Sequence, residues 1–252
     1  MKTVIRKFVH WQPSQETGFA LAAGILVLGF SAAMKVFPNA IPLNLLLRDA
    51  GQIFFAGILL PAWILRRFHI SFADCGLSLR KAPVFLTINL ALAGLLLAMF
   101  LSEAPLPPDF RIEANTLWKA GYVVLALAFE VFFFYAFLRT VLERAFGILP
   151  AIVLTAAFYS LHHMGFQPEY EKLFFVGLLY AAVYRLGNSA LLIFPFFHWV
   201  GGLYDVFIQS QAVEPIRYPE IRTLALSAAF LATAFIILRL NRGGDSSRPA
   251  FR

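Results

Sequence analysis

The stretch LALAFEVFFFYAFLR, residues 125–139, places one carboxylate, Glu130, inside an otherwise apolar and aromatic run. The run extends over about residues 116–138, long enough for a helix to cross the hydrocarbon core of a bilayer. A charge near the centre of such a helix costs about 2.5–3.5 kcal/mol on insertion scales, so Glu130 must be neutralised, paired or hydrated. We therefore predict a membrane helix that carries either a catalytic acid or a protonated, hydrogen-bonded one.

Comparable apolar runs recur along the whole chain, which is 60% hydrophobic and 14% charged. A soluble domain has about 45–50% apolar and about 25% charged residues. The composition predicts an all-α, polytopic bundle of about eight transmembrane helices. The eight spans are expected at about residues 18–36, 50–65, 83–102, 116–138, 149–166, 173–187, 189–208 and 223–240.

Loop charges predict that both termini are cytoplasmic. With the N-terminus inside, 14 of the 21 Lys and Arg residues fall on the cytoplasmic side, as expected from the positive-inside rule. Residues 1–17 form a basic, cytoplasmic or interfacial segment, residues 18–240 the transmembrane domain, and residues 241–252 a basic cytoplasmic tail. A signal peptide is the weaker alternative, because the apolar run 18–34 exceeds the usual length of about 7–15 residues.

The net charge of +7 reports topology in a membrane protein, so we expect no nucleic-acid partner. The partner that the composition itself predicts is the lipid bilayer. The single cysteine, Cys75, excludes an intrachain disulfide framework.

Few ionisable residues lie within the predicted spans, and such residues usually face a bundle interior or a wet cavity. Adjacent helical residues point about 100° apart, so only one histidine of His162-His163 is expected to face a shared site. Asp205 is expected near the outer interface, where a solvated charge is its simplest interpretation. The site is therefore expected to combine one Glu and two His from three spans: Glu130, His162 and His198.

Two chemistries suit one Glu and two His. In the first, Glu130 and a histidine activate water and later protonate the leaving amine, while the other histidine stabilises the oxyanion. In the second, Glu130, His162 and His198 bind a zinc ion. The sequence contains no HExxH to favour the metal and no GxSxG to favour a serine nucleophile.

Three motifs in order resemble those of the CPBP family, the CAAX-processing and bacteriocin-processing (Abi) glutamic intramembrane proteases. The first, a Glu-Glu pair followed after three residues by Arg, keeps Glu130 but has Val131 and Tyr135 at the other positions. The second, Phe-x-x-x-His, is intact from Phe158 to His162. The third, His-x-x-x-Asn or Asp, begins at His198 and ends at Gly202. The stretches FADCGLSLRKAP, 72–83, and VGLLYAAVYRLGNSALLIFPFFHW, 176–199, are also similar to segments of that family.

The resemblance implies an eight-helix intramembrane endopeptidase with a core over about residues 116–208 and no cofactor. It also implies a membrane-associated protein or peptide substrate and a location in a prokaryotic cytoplasmic membrane. Glu130 and His162 would activate the water and His198 would help to hold the oxyanion. Further residues that we expect to support the site or the oxyanion are Tyr135, Phe158, His163, Gly202 and Asp205.

Two other functions stay open at this point. A degenerate homologue without proteolysis would act as a membrane-embedded binding, immunity or assembly factor, with Glu130 as a pairing group. A proton-coupled carrier would use Glu130 as a proton site, but no inverted halves or paired broken helices favour it.

Overall fold

The computed structural model describes residues 6–104, 106, 108, 111–167, 169–209 and 216–244. Within these ranges the chain consists of helices and loops, with no strand. Six helices are long and apolar enough to cross a membrane. The chain is therefore an all-helical, integral, multi-pass membrane protein, and this part of the prediction is confirmed.

Eight helices of eight or more residues follow one another in the described ranges, and we label them in chain order. They are α1 (Gln15–Val36), α2 (Ile41–Arg67), α3 (Ala82–Glu103), α4 (Ala114–Phe146), α5 (Ile148–Leu161), α6 (Tyr170–Gly187), α7 (Phe196–Tyr204) and α8 (Pro219–Gly244). The six that qualify as spans are α1 to α4, α5 with its 3₁₀ continuation to Gly165, and α8.

Helix α4 continues beyond the predicted end at residue 138, because ion pairs compensate the charges of its last turns. Arg139 pairs with Glu143 and donates to Asn188 Oδ1 at 3.2 Å. Arg185 Nε in α6 lies 2.7 Å from Glu143 Oε1. The apolar pattern of the sequence predicts only the membrane-embedded part of α4. These ion pairs and hydrogen bonds stabilise the charged end as a helix.

The predicted span at 189–208 is not one continuous helix. Ala190–Leu192 forms a 3₁₀ turn, and α7 begins only after Pro195. Helix α7 and its π-helical continuation Asp205–Gln209 together measure about 21 Å at about 1.5 Å per residue. That length is shorter than the hydrocarbon core of about 30 Å, so α7 does not qualify by length, and neither α6 nor α7 is among the six helices.

Helix α4 occupies the centre of the bundle. In its most apolar window 72% of the residues are buried, against 11–39% in the other five spans. Helices α5, α7 and α8 contact α4, while α1 pairs with α2, α3 with α7, and α5 with α6. Because Glu130 lies on the central helix, its side chain can meet groups from several neighbours.

The N-terminal segment and two loops meet at one end of the bundle. The amide of His10 donates to the carbonyl of Phe146 at 3.0 Å, and that of Gln12 to the carbonyl of Ala145 at 2.7 Å. The amide of Ala190 donates to the carbonyl of Gly76 at 3.0 Å. Residues 1–5 of the predicted N-terminal segment and 245–252 of the predicted tail lie outside the described residues, whereas 241–244 belong to α8.

Candidate functional site

Glu130 lies in the middle of three histidines, and all four side chains are at most 4% exposed. Its Oε2 atom is 3.1 Å from His198 Nε2. Its Oε1 atom is 3.4 Å from His162 Nε2 and 3.7 Å from His163 Nε2. The structure therefore brings together the Glu and the two His predicted from the sequence and adds the second histidine of the pair.

The prediction that only one histidine of His162-His163 faces the shared site is wrong, because α5 ends at Leu161. The pair opens the 3₁₀ turn His162–Gly165, and the helix end leaves the carbonyl of Tyr159 free to accept hydrogen bonds from side chains. The Nδ1 atoms of both histidines contact this carbonyl, His163 at 2.8 Å. A carbonyl only accepts, so both Nδ1 atoms carry the proton and both Nε2 atoms point towards Glu130.

Helices α1 and α2 hold the backbone of this turn. Ser31 Oγ of α1 donates to the carbonyl of His162, and Gln52 Nε2 of α2 lies 3.4 Å from the same oxygen. Ser31 and Gln52 are both fully buried. These polar contacts inside an apolar bundle fix the height of the histidine pair relative to Glu130.

His198 is positioned by its own helix and by the ring of Tyr180. Asn89 Oδ1 of α3 accepts from the amides of Phe196 and Phe197 at 2.8 and 3.1 Å, which satisfies the first turn of α7. The imidazole lies 4.5 Å, centroid to centroid, from the Tyr180 ring. Its Nε2–H faces the Glu130 carboxylate, so His198 holds the oxygen that the other two histidines do not face.

A cavity of about 450 Å³ reaches this cluster. Glu130, His163 and His198 line it, whereas His162 lies behind its wall. Apolar residues of α3, α4 and α6 form much of the remaining surface, and cationic residues lie towards one end of the bundle. The cavity thus combines apolar walls with a few converging polar groups, a carboxylate and two imidazoles, as ligand sites commonly do.

A polar network forms part of the cavity rim. Asp205 Oδ1 is 3.1 Å from Lys172 Nζ, and Asp205 Oδ2 is 3.3 Å from Gln167 Nε2. Gln167 also donates to Glu169 at 2.9 Å. This hydrogen bond, followed by the charge of Lys172, holds the pKa of the Glu169 carboxyl below its ordinary value. Asp205 thus lies at the cavity, as part of an ion-paired rim.

The remaining predicted supporting residues lie in different places. Tyr135 is fully buried, its ring is 6.1 Å from that of His198, and its hydroxyl has no hydrogen-bond partner among the described residues. Gly202 lines the cavity. Phe158 packs against Gly24 of α1, on which a Cβ atom would lie 2.6 Å from the Phe158 ring. Phe158 therefore supports helix packing and does not reach the cluster.

Sequence reasoning missed two groups that shape the site. The carbonyl of Tyr159 orients two histidines, and a backbone group gives no signal in sequence. The Tyr180 ring packs against His198, and nothing in the sequence distinguished Tyr180 from the ordinary apolar positions of α6. The helix break after Leu161 did have a signal, because Gly165 and Pro168 follow within a few residues.

Comparisons of the chain with family models, with curated proteins and with solved structures found no match.

Proposed function

We propose that the protein is an intramembrane endopeptidase in which Glu130 is the essential carboxylate for hydrolysis of a peptide bond. The observation that carries the proposal is the convergence of buried Glu130 with His162, His163 and His198 at the bottom of a cavity. A buried group of proton donors and acceptors at the end of a cavity is suited to general acid–base catalysis.

In the proposed reaction a water molecule on the cavity side of Glu130 attacks the peptide carbonyl carbon. Glu130 accepts the proton of the water, and the C–N bond breaks as that proton passes to the leaving amine. His198 donates to Oε2 and so leaves Oε1, the oxygen near His162 and His163, to accept the proton. The resemblance assigns oxyanion binding to His198, whereas this hydrogen bond favours a positioning role for it.

We also propose that the chain is a divergent relative of the CPBP family. Hydrolysis through Glu130, as proposed above, requires no cofactor. The support is that the residues kept from the three motifs meet in space. His162 and His198 lie within ion-pair or hydrogen-bond distance of the Glu130 carboxylate. The substrate class is a membrane-associated protein or peptide, because the site opens from an apolar bundle.

For topology, we propose eight membrane helices with both termini on the cytoplasmic side of a prokaryotic inner membrane. One end of the bundle carries the pairs Arg144–Asp74 and Arg185–Glu143, all from segments predicted to be cytoplasmic. The cavity is lined at the other end by cations predicted to be external: Arg48, Lys172, Arg217 and Arg222. In this orientation the substrate reaches Glu130 from the non-cytoplasmic half of the membrane.

One observation favours a second function, a binding or immunity factor without proteolysis. Gly202 offers no amide where the family has Asn, and a Cβ atom there would lie 2.8 Å from Leu127 Cδ1. An oxyanion donor of that kind contributes about 2.7–4 kcal/mol in a soluble protease. A protein that lacks it and still binds peptides in the cavity would keep the fold without the reaction.

Coexpression with candidate membrane-associated substrates separates the two functions. We expect cleavage, mapped by mass spectrometry, with the wild type and with Glu113→Gln, which removes an exposed carboxylate far from the cluster. We expect none with Glu130→Gln, because the amide cannot accept the proton of the water. Equal processing by Glu130→Gln would exclude the proposed mechanism, and binding without processing by any form would favour the second function.

A further inference from the structure

Three lone pairs face one another in the cluster, and the proposed hydrolysis leaves this unexplained. His162 and His163 both use Nδ1–H on the carbonyl of Tyr159, so their Nε2 atoms present lone pairs to Glu130 Oε1. His162 Nε2 is buried and has no hydrogen-bond partner among the described residues. Lone pairs held together in this way require a shared proton or a cation between them.

The spacing of the three atoms matches that of metal ligands. Glu130 Oε1, His162 Nε2 and His163 Nε2 all lie within 4.8 Å of one another, and two of the separations are 3.4 and 3.7 Å. Ligands on a tetrahedral ion with bonds of about 2.0–2.1 Å lie about 3.3 Å apart. A small movement of the side chains therefore brings all three atoms to bonding distance of one ion.

The surroundings of the histidines also match a metal centre. Metal-binding histidines donate their second ring N–H to a carbonyl or carboxylate, which fixes the tautomer and the ring orientation. The carbonyl of Tyr159 does this for both rings. On the other side of the carboxylate, His198 donates to Glu130 Oε2 and leaves Oε1 free for an ion.

We propose that Glu130, His162 and His163 form a binding site for one divalent transition-metal ion of the zinc class. Two imidazoles and one carboxylate favour zinc and related ions over magnesium or calcium. The set differs from the zinc ligands predicted from the sequence, because His163 takes the place of His198. Glu130 and His163 line the cavity, so a water molecule could reach a bound ion from that side, as at metal sites that keep a position for water.

The proposal stands apart from the proposed hydrolysis, since metal binding is measured without a substrate. If both hold, Glu130, His162 and His163 would hold an ion that supplies a Lewis acid beside the attacking water, and a chelator would lower the rate of cleavage. If hydrolysis fails and binding holds, the site is a metal site in a non-proteolytic protein.

The test is titration of the chelator-treated, full-length protein in detergent with Zn²⁺, followed by competition with a coloured zinc chelator. We expect one equivalent per chain for the wild type and loss of this uptake in His163→Ala and His162→Ala. His69→Asn is the matched control: it removes an exposed histidine and suits the left-handed φ of 54° there. His198→Ala keeps all three ligand atoms, so it should still take up one equivalent, with affinity reduced by about 10- to 100-fold.

Protection of buried Cys75 from thiol reagents verifies that each variant is folded. Absence of zinc uptake by the folded wild type would overturn the site. Unchanged uptake by folded His163→Ala would also overturn the site, because it removes His163 from the ligand set. A loss in His198→Ala as large as that in His163→Ala would overturn it as well, because it makes His198 a ligand.

Discussion

His198 on α7 and Glu130 on α4 are 68 residues apart in sequence, yet His198 Nε2 lies 3.1 Å from Glu130 Oε2. Both side chains are almost fully buried. A hydrogen bond to a charged group in such surroundings contributes more than one at the surface. This hydrogen bond links α4, which carries the carboxylate, to α7, which carries His198.

We predict that His198→Phe lowers the rate of peptide cleavage by about 100-fold or more. The phenyl ring keeps the contact with the Tyr180 ring, whereas the donor to Glu130 is lost. The measurement is kcat on an identified substrate, with His69→Asn as a control that should leave the rate unchanged. Because His198 acts through Glu130, adding His198→Phe to Glu130→Gln should cause little further loss. Fully additive effects would contradict the positioning role.

The turn between α4 and α5 depends on Gly147. Its φ of 90° is strained for any residue with a Cβ atom, and that atom would lie 2.6 Å from the carbonyl oxygen of Phe8. We predict that Gly147→Ala lowers the free energy of unfolding in detergent by about 1–3 kcal/mol. Gly94→Ala is the control, because nothing lies within 4 Å of its Cβ position and alanine favours helix. A loss of stability in Gly94→Ala as large as in Gly147→Ala would contradict this explanation.

The ion pair between Arg222 and Asp49 connects α8 to α2. Arg222 contacts both carboxylate oxygens, at 2.6 and 2.7 Å, and Tyr122 donates to the same group at 2.8 Å. The two side chains are 10% and 18% exposed, against 44% and 52% for Arg144 and Asp74.

We therefore expect Arg222→Ala to lower the free energy of unfolding by about 1–3 kcal/mol, because it leaves a largely buried carboxylate without its partner. Arg144→Ala should cost about 0–1 kcal/mol, since water replaces the lost contact. Thermal unfolding followed by circular dichroism in one detergent compares the two variants. Equal destabilisation would show that burial does not set the strength of these pairs.

Cys75 provides a probe of the cytoplasmic end proposed for the bundle. Its side chain is fully buried, and burial raises the pKa of the thiol to about 11. The thiolate is the reactive form, so maleimide labelling of the native protein at neutral pH should be slow and should increase about tenfold per pH unit towards that value. Denaturation in SDS should expose the thiol at once. Rapid labelling of the native protein at neutral pH would contradict the burial of this loop.

The sequence was sufficient for the helical membrane fold, because apolarity over about 20 residues is a strong and local signal. The ends of α4 and the break before α7 were not predictable in the same way. Arg139 and Glu143 pair within α4, but their other partners, Asn188 and Arg185, come from α6 and its end. Hydropathy also could not separate a continuous span over 189–208 from the short helix that starts at Phe196.

The candidate site was predictable in its residue types and only partly in its geometry. Glu130, His162 and His198 stood out because ionisable groups are costly in a membrane. The position of His163 depended on where α5 ends and on a backbone carbonyl of Tyr159, neither of which helical periodicity describes. Phe158 belonged to an intact motif, yet its ring packs on α1 and away from the cluster.

The central claim is that Glu130 is required for peptide-bond hydrolysis, and cleavage by the purified protein tests it most directly. A substrate found by coexpression is incubated in liposomes with wild type, Glu130→Gln or Glu113→Gln, each shown to be folded by Cys75 protection. We predict that Glu130→Gln reduces the initial rate by about 1000-fold or more, whereas Glu113→Gln keeps the wild-type rate. Cleavage at the same bond and the same rate by folded Glu130→Gln would contradict the account.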